Sequence, residues 1–339
     1  MRAMVLAAGL GTRLRPITFD RPKPMVPVLN RPVMEHILRL LARHGFTETI
    51  ANLHWFPDQI TEHFGDGSAC GVSLTYSREE ALLGTSGGVR NVADFLGEDF
   101  LIISGDALTD IDLTAMREYH ESHDGIATLA TKRVEDTTQF GVAITDSEGR
   151  IGGFQEKPQP SEALSDLANC GIYMFRKEIF DFFPSPGTSL AAEEGDPDGF
   201  ADWAMDVFPR LLESDVPFYS HEIDAYWNDI GNLTELREST YDALNGAVRV
   251  EQVGKMVDGF RSGELGDDEP ALDGPVLLGP DCEIGDDVRI DGPAVIGDGA
   301  RIGAGSRLRD VIVLPGAEVP ERSILIGAIL GARASDASR

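Results

Sequence analysis

An α/β domain built on a mostly parallel sheet, followed by a short parallel β-helix, is the fold class this sequence predicts. Two observations carry it. The first half of the chain alternates short β-rich runs with helix-like stretches, the order in which parallel strands and their covering helices succeed one another. Past residue 273, Leu278, Ile284, Ile290, Ile296, Ile302, Leu308 and Leu314 stand six apart, and a hexapeptide period of this kind reads as the coils of a parallel β-helix.

The alternation begins with a strand over residues 3–7 and a helix over 33–44, where Val33, Ile37, Leu40 and Leu41 follow helical spacing until Gly45 ends it. A strand over 49–52, a helix-like stretch over 59–64 and strands over 72–76 and 100–103 follow. The last of these runs into Ser104-Gly105-Asp106, which sets Asp106 just past a strand's carboxyl end, the ligand-binding edge of an open α/β sheet. A further helix is expected over 203–213, interrupted by Pro209. Residues 185–199 read as an exposed loop and the acidic stretch 259–273 as a linker. The expected organisation is therefore a domain over 1–258, a linker over 259–273 and the repeat over 274–330. The repeat is long enough for about two to three coils, with Cys282, Val288, Ala294, Ala300 and Ser306 each two positions ahead of an aliphatic residue.

The chain has 339 residues, 42% of them hydrophobic, enough for a substantial core. Its formal net charge of −28 repels polyanions, so neither nucleic acid nor an anionic membrane is an expected partner, and an anionic substrate needs a local basic pocket. The apolar run at 4–8 passes into Gly9 too early for a signal peptide, and no window approaches the roughly 18 apolar residues of a membrane span. A cytoplasmic protein is expected. Cys70, Cys170 and Cys282 have no C-x-x-C spacing and are read as packing residues.

The stretch Leu6-Ala-Ala8-Gly9-Leu-Gly11-Thr12-Arg13 follows the first strand. Its glycines let backbone N–H groups approach a base or phosphate, and Arg13 adds fixed positive charge. It is neither a G-x-G-x-x-G fingerprint, since Leu14 occupies the third glycine position, nor a Walker A loop. In Arg21-Pro-Lys23-Pro24, prolines stiffen the chain around one lysine and would hold its ammonium in place; alone, this piece reads first as a solvated lysine in a proline-rich turn.

Taken in order, these motifs resemble the nucleotidyl transferases that make nucleotide sugars. That resemblance implies a three-layer nucleotide-diphospho-sugar transferase domain (Rossmann-like) with a short left-handed β-helix. It makes Leu6, Ala8, Gly9, Gly11 and Thr12 nucleotide contacts, with Arg13 and Lys23 as catalytic clamps on the triphosphate. The segment Leu83-Gly84-Thr85-Ser-Gly87 is similar to the L-G-T-A-G segment of the mannose-1-phosphate guanylyltransferase branch, with Ser86 in place of alanine, and implies nucleoside contacts from Gly84 and Thr85. Asp106 in Ser104-Gly105-Asp106 and Asp229 in Tyr226-Trp-Asn-Asp229 match the aspartates that hold a divalent metal, expected to be Mg²⁺. Asp110 and Asp112 are read as turn and cap residues.

On the sugar side, Gln139-Phe-Gly141, Glu156-Lys157-Pro158 and Asn169-Cys-Gly171 resemble the family equally. The resemblance makes Gly141, Glu156, Lys157 and Asn169 contacts for a sugar 1-phosphate. Chemically, Glu156 accepts from hydroxyls, Lys157 pairs with the phosphate, and Asn169 does both. Cys170 stands where relatives often have alanine.

The expected reaction joins a nucleoside triphosphate to a sugar 1-phosphate, first of all GTP to mannose 1-phosphate. Since the sugar phosphate is already ionised, it needs no covalent nucleophile or general base, and catalysis is positioning plus charge stabilisation. Glucose 1-phosphate with UTP or dTTP is the alternative. A silent regulatory subunit and a hexapeptide acyltransferase are rivals from other classes, the latter opposed by the absence of any histidine beyond His221. The aliphatic faces of the β-helix suggest a homo-oligomer.

Overall fold

The computed structural model describes residues 1–261 and 270–331, and packing divides the chain into two compact units. The first comprises Met1–Thr12, Thr18–Met25 and Ile37–Asp229; the second comprises Arg13–Ile17, Val26–His36 and the described residues from Ile230 on.

The first unit holds a nine-stranded sheet made of β1 (Arg2–Leu6), β2 (Glu48–Leu53), β3 (Ser73–Arg78), β4 (Asp99–Ser104), β5 (Ala127–Arg133), β6 (Gly141–Thr145), β7 (Ile151–Glu156), β8 (Leu167–Arg176) and β9 (Tyr219–Glu222). Strands β4, β1, β2 and β3 lie side by side and parallel. Helices α1 (Val33–Arg43) and α2 (Pro57–Phe64) lie in the connections from β1 to β2 and from β2 to β3, as parallel neighbours require. Leu6 pairs with Asn52 on one side and Ser104 on the other, so the loops leaving β1, β2 and β4 emerge at one edge. Beneath them Met4, Phe100, Ile102, Phe175, Trp203 and Phe208 belong to one buried cluster.

The four strands of this first half are all parallel, as expected, whereas beyond them the sheet is mixed, with only β9 parallel to its neighbour β5 among the described strands. Strand β8 runs antiparallel to β4, β5 and β6, and β7 is antiparallel to β6. For β6 and β7 the reason is connection length: 146–150 joins them, far too short for a crossover. Between 113 and 122 the chain forms α3 (Leu113–Ser122), capped by Asp112, whose carboxylate accepts from the N–H groups of Thr114 and Ala115 at 2.9 Å each. The helix expected over 203–213 is a π-turn (Trp203–Val207) followed by α4 (Phe208–Glu213). Pro209 sits in the first turn of α4, where its missing N–H has no helical partner to lose.

In the second unit the repeat folds as stacked parallel strands. One coil consumes three hexads, since Val276 faces Ala294 and Ile284 faces Ile302. Ile290, Ile296, Ile302 and Leu308 point into the core with Val288, Ala294 and Ala300. The hexad phase then slips by one residue: Ala294 faces Val311 and Ile296 faces Val313, so Leu314 is one position past the in-register site. The slip falls where Gly292-Pro293 on one coil meets Asp310, a non-glycine at φ 56°, on the next.

Packing also draws the division elsewhere than at 258/259. Helix α5 (Leu233–Leu244) groups with the repeat, and its Arg237 pairs with Asp310 at 3.3 Å and donates to the Gly327 carbonyl. Of the expected linker 259–273, residues 262–269 lie outside the described residues. Its two ends are not free chain: Phe260 pairs with Asp273, and Arg261 with Leu272. Among the described residues no helix is long and apolar enough to cross a membrane, and Cys70, Cys170 and Cys282 are unbridged thiols.

Candidate active site

Two side-chain groups assemble at the carboxyl edge of the parallel strands, both within the first unit. The first centres on Lys23. The chain from Gly9 turns at Gly11 (φ 62°), where a Cβ would lie 2.9 Å from Lys23 Cβ, and the Gly11 carbonyl accepts from Thr18 Oγ1 at 2.7 Å. Only glycine allows that close approach at positive φ, which lays the turn after β1 against the lysine stem. Lys23 Nζ then stands 2.5 Å from Asp106 Oδ2 and donates to the Asp229 carbonyl at 3.1 Å.

Asp106 and Asp229 are far apart in sequence, and a short ladder brings them together. Leu108–Thr109 pairs antiparallel with Trp227–Asn228. Thr109 Oγ1 donates to the Tyr226 carbonyl at 2.7 Å, Asp110 Oδ1 accepts from the Tyr226 N–H at 3.0 Å, and Trp227 Nε1 donates to the Cys170 carbonyl at 3.0 Å. Asp110, read from sequence as a turn residue, is therefore the clamp that holds the Asp229 segment beside Asp106. On the other side, Gly105 N–H donates to the Leu6 carbonyl at 2.9 Å, and a Cβ there would lie 2.9 Å from that oxygen.

The second group lines a cavity of about 440 Å³ bounded by Leu6, Thr85, Ser104, Glu156, Asn169 and Asp202, among others. Thr85 Oγ1 donates to Asp202 Oδ2 at 2.7 Å and accepts from the Trp203 N–H at 3.0 Å. Asn169 donates through Nδ2 to Tyr173 Oη at 3.0 Å and accepts from the Gly171 N–H at 3.1 Å. Burial pushes the Tyr173 phenol well up, so it stays neutral. Glu156 Oε1 lies 3.2 Å from Lys157 Nζ, both half-exposed. A Cβ at Gly141 would sit 3.0 Å from Glu156 Oε2, so glycine there leaves the carboxylate its room.

Of the residues expected from sequence, Asp106 by its carboxylate and Asp229 by its backbone carbonyl are thus brought to the Lys23 ammonium, and Leu6, Thr85, Glu156 and Asn169 to one cavity. Gly84 (φ 74°) packs against Ala201, whose carbonyl oxygen would lie 2.3 Å from an added Cβ. Ala8 is buried, Gly9 has open space on its Cα, and Thr12 begins a 3-10 turn. Arg13 belongs to the second unit, where its guanidinium lies beside Gly231. Reading the sequence alone missed Asp110, Asp202, Asn52 and Glu79. The available signal for Asn52 was an amide one position before the end of a strand whose residues from Thr49 to Leu53 are all buried.

The donor set suits a hard divalent cation: carboxylate and carbonyl oxygens already surround a cation, the Lys23 ammonium. Among the described residues no cluster of three or more His, Cys, Asp or Glu is poised to hold a metal alone.

A sheet whose parallel strands carry a glycine-rich turn, Lys23 and Asp106 at their carboxyl edge, in a chain that also carries a hexapeptide coil, points to the class of nucleotide-handling transferases. Residues 2–246 match the nucleotidyl transferase family and 275–310 the bacterial transferase hexapeptide repeat; this chain is a nucleotidyl transferase. It is 37% identical over 308 residues to a UTP–glucose-1-phosphate uridylyltransferase of Synechocystis sp., covering 85% of this chain and 76% of the relative. It is 35% identical over 246 residues to a mannose-1-phosphate guanylyltransferase of Mycobacterium tuberculosis, covering 72% and 65%. A putative glucose-1-phosphate thymidylyltransferase from Bacillus anthracis, solved with a sucrose, superposes with a TM-score of 0.63 at 25% identity, covering 74% of this chain and 98% of that one.

Proposed function

We propose that the enzyme transfers a nucleotidyl group from a nucleoside triphosphate to a sugar 1-phosphate, releasing pyrophosphate, with GTP and mannose 1-phosphate as its substrates. The observation that carries the reaction is the meeting of Lys23, Asp106 and the Asp229 carbonyl at one point on the edge that also opens the cavity of Glu156 and Asn169. The turn over 8–12 cradles the nucleotide, and Lys23 lies against the phosphates. Arg13 is assigned to the same clamp from its motif. Glu156 accepts from sugar hydroxyls, Asn169 both accepts and donates, Gly141 leaves Glu156 its room, and Lys157 orients the sugar phosphate for in-line attack on the α-phosphorus.

Asp106 and Asp229 would hold Mg²⁺, which supplies charge neutralisation on the phosphates and the pyrophosphate leaving group. Every other part of the reaction is positioning by the chain's own groups. The guanylyl reading rests on the 35% identical mycobacterial relative and on the Leu83-Gly84-Thr85-Ser-Gly87 segment. A second reading, UTP with glucose 1-phosphate, is favoured by the Synechocystis relative. Ile324 and Ile326, 73% and 69% exposed on the repeat, support a homo-oligomer.

Pyrophosphate release with Mg²⁺ across GTP, UTP, dTTP, ATP and CTP against both sugar phosphates tests the proposal. Dominance of GTP with mannose 1-phosphate supports it, dominance of UTP with glucose 1-phosphate selects the second reading, and silence in every pair sinks both.

A further inference from the structure

Behind the nucleotide segments lies a buried polar chain that neither group of site residues uses. The Ala7 N–H donates to Asn52 Oδ1 at 2.9 Å. Asn52 Nδ2 donates to Glu79 Oε1 at 2.8 Å. Glu79 Oε2 accepts from the Leu83 N–H at 3.4 Å. Asn52 and Glu79 are 2% and 8% exposed, and burial raises the Glu79 carboxyl against the pull of its two donors. The chain is closed by Gly88, where an added Cβ would lie 2.3 Å from Glu79 Oε1 and 2.9 Å from Asn52 Nδ2.

The two ends of this chain are the two stretches assigned to the nucleotide: Ala7 precedes the turn over 8–12, and Leu83 precedes Gly84 and Thr85. Both ends are backbone N–H groups, fixed donors. The two side chains must together present an acceptor at each end and one donor between them. An amide at 52 facing a carboxylate at 79 meets that requirement, and a buried polar network must be satisfied throughout to be stabilising.

We propose that Asn52 and Glu79 are positioning residues that set the spacing between the turn after β1 and the Gly84–Thr85 segment, and so govern nucleotide affinity. The inference rests on the assignment of those two stretches to the nucleotide. Glu79 acts through Asn52 and Leu83, without touching the base.

The hydrogen-bond polarity makes a swap diagnostic. Asn52→Asp alone sets two carboxylates face to face. Glu79→Gln alone leaves one amide N–H facing another donor, either Leu83 or Asn52. Together they rebuild the chain: the carboxylate introduced at position 52 accepts from both the Ala7 N–H and the new amide at position 79, whose oxygen accepts from Leu83.

The experiment measures equilibrium binding of GTP and of UTP to full-length wild type, both single variants and the double, with the Michaelis constant for sugar 1-phosphate and the thermal midpoint alongside. Each single variant is expected to bind nucleotide about tenfold more weakly, with the double restored to within about threefold and the sugar-phosphate constant unchanged. Additive losses in the double overturn the relay. So does a changed GTP to UTP ratio in Glu79→Gln with no effect of Asn52→Asp, which would put Glu79 on the base itself. Equal weakening towards both substrates, tracking a lowered midpoint, overturns it in favour of a structural role. Failure of the wild type to bind either nucleotide would instead count against the functional reading.

Discussion

Lys23 Nζ stands 2.5 Å from Asp106 Oδ2, with side-chain exposures of 12% and 28%, and each charge is the other's nearest neutraliser. On the metal role proposed for Asp106, the lysine and a divalent cation would compete for the same carboxylate. Lys23→Ala should bind Mn²⁺ in the absence of nucleotide more tightly than the wild type, as read by electron paramagnetic resonance, while turnover falls about 10²–10³-fold for loss of one transition-state contact. Unchanged Mn²⁺ binding would show that the ammonium does not screen the aspartate.

Asp106→Asn and Asp229→Asn should each abolish Mg²⁺-dependent pyrophosphate release while leaving the circular dichroism spectrum intact. Normal turnover in either variant removes that residue from the metal assignment.

Asp110 fixes Tyr226 through its N–H at 3.0 Å and so holds the strand that carries Asp229. Asp110→Ala should lose about 1 kcal/mol of stability, the worth of a typical hydrogen bond, yet reduce turnover by more than that loss implies, because Asp229 is displaced. A denaturant midpoint and a turnover number on the same preparation separate the two effects.

At Gly84, φ is 74° and the Ala201 carbonyl would lie 2.3 Å from a Cβ. Gly84→Ala therefore meets both backbone strain and a clash with main chain that cannot step aside. A destabilisation of about 2 kcal/mol or more is expected, with weaker nucleotide binding; a variant as stable as wild type would mean that the segment relaxes freely.

Acid should loosen the first unit before it titrates ordinary carboxylates. His120, buried, has its pKa pushed down to about 4 by burial and by His123 and Arg176. His123, facing Arg176 and Asp124, and His221, facing Asp112, are lowered as well, chiefly by burial. His120 and His123 share the Thr128 hydroxyl at 2.8 Å each. A histidine with a lowered folded pKa costs nothing above its unfolded value near 6.5. Its penalty grows as pH falls from 6.5 to about 4, reaching on the order of 3 kcal/mol for His120. Glu79 and Asp99, raised by burial, act in the opposite sense, since each takes up its proton more readily in the folded chain than in the unfolded one. The denaturation midpoint should thus decline from pH 6.5 to 5, and His120→Gln should flatten that decline.

The strand ends, the glycine turn and the hexads were legible in sequence because each reports a short-range constraint. Helical or six-residue spacing and left-handed glycines leave their marks within a few positions. The slip at Asp310 was hidden for the complementary reason: a one-residue deletion in a repeat shows only when two coils are laid in register.

What the sequence by itself determined, then, was the class of domain, the repeat and the identity of most chemical groups. Tertiary structure alone decided which of them meet. Lys23 faces Asp106, Asp110 holds Tyr226, and Asn52 joins Ala7 to Glu79. The Asn52 contact follows from strand order in the main sheet, the Asp110 contact from the short ladder beside it, and the Lys23 contact from the 3-10 turn that carries the lysine. Register depends on the packing of the whole core, so residues distant along the chain carry no local sign that they will touch.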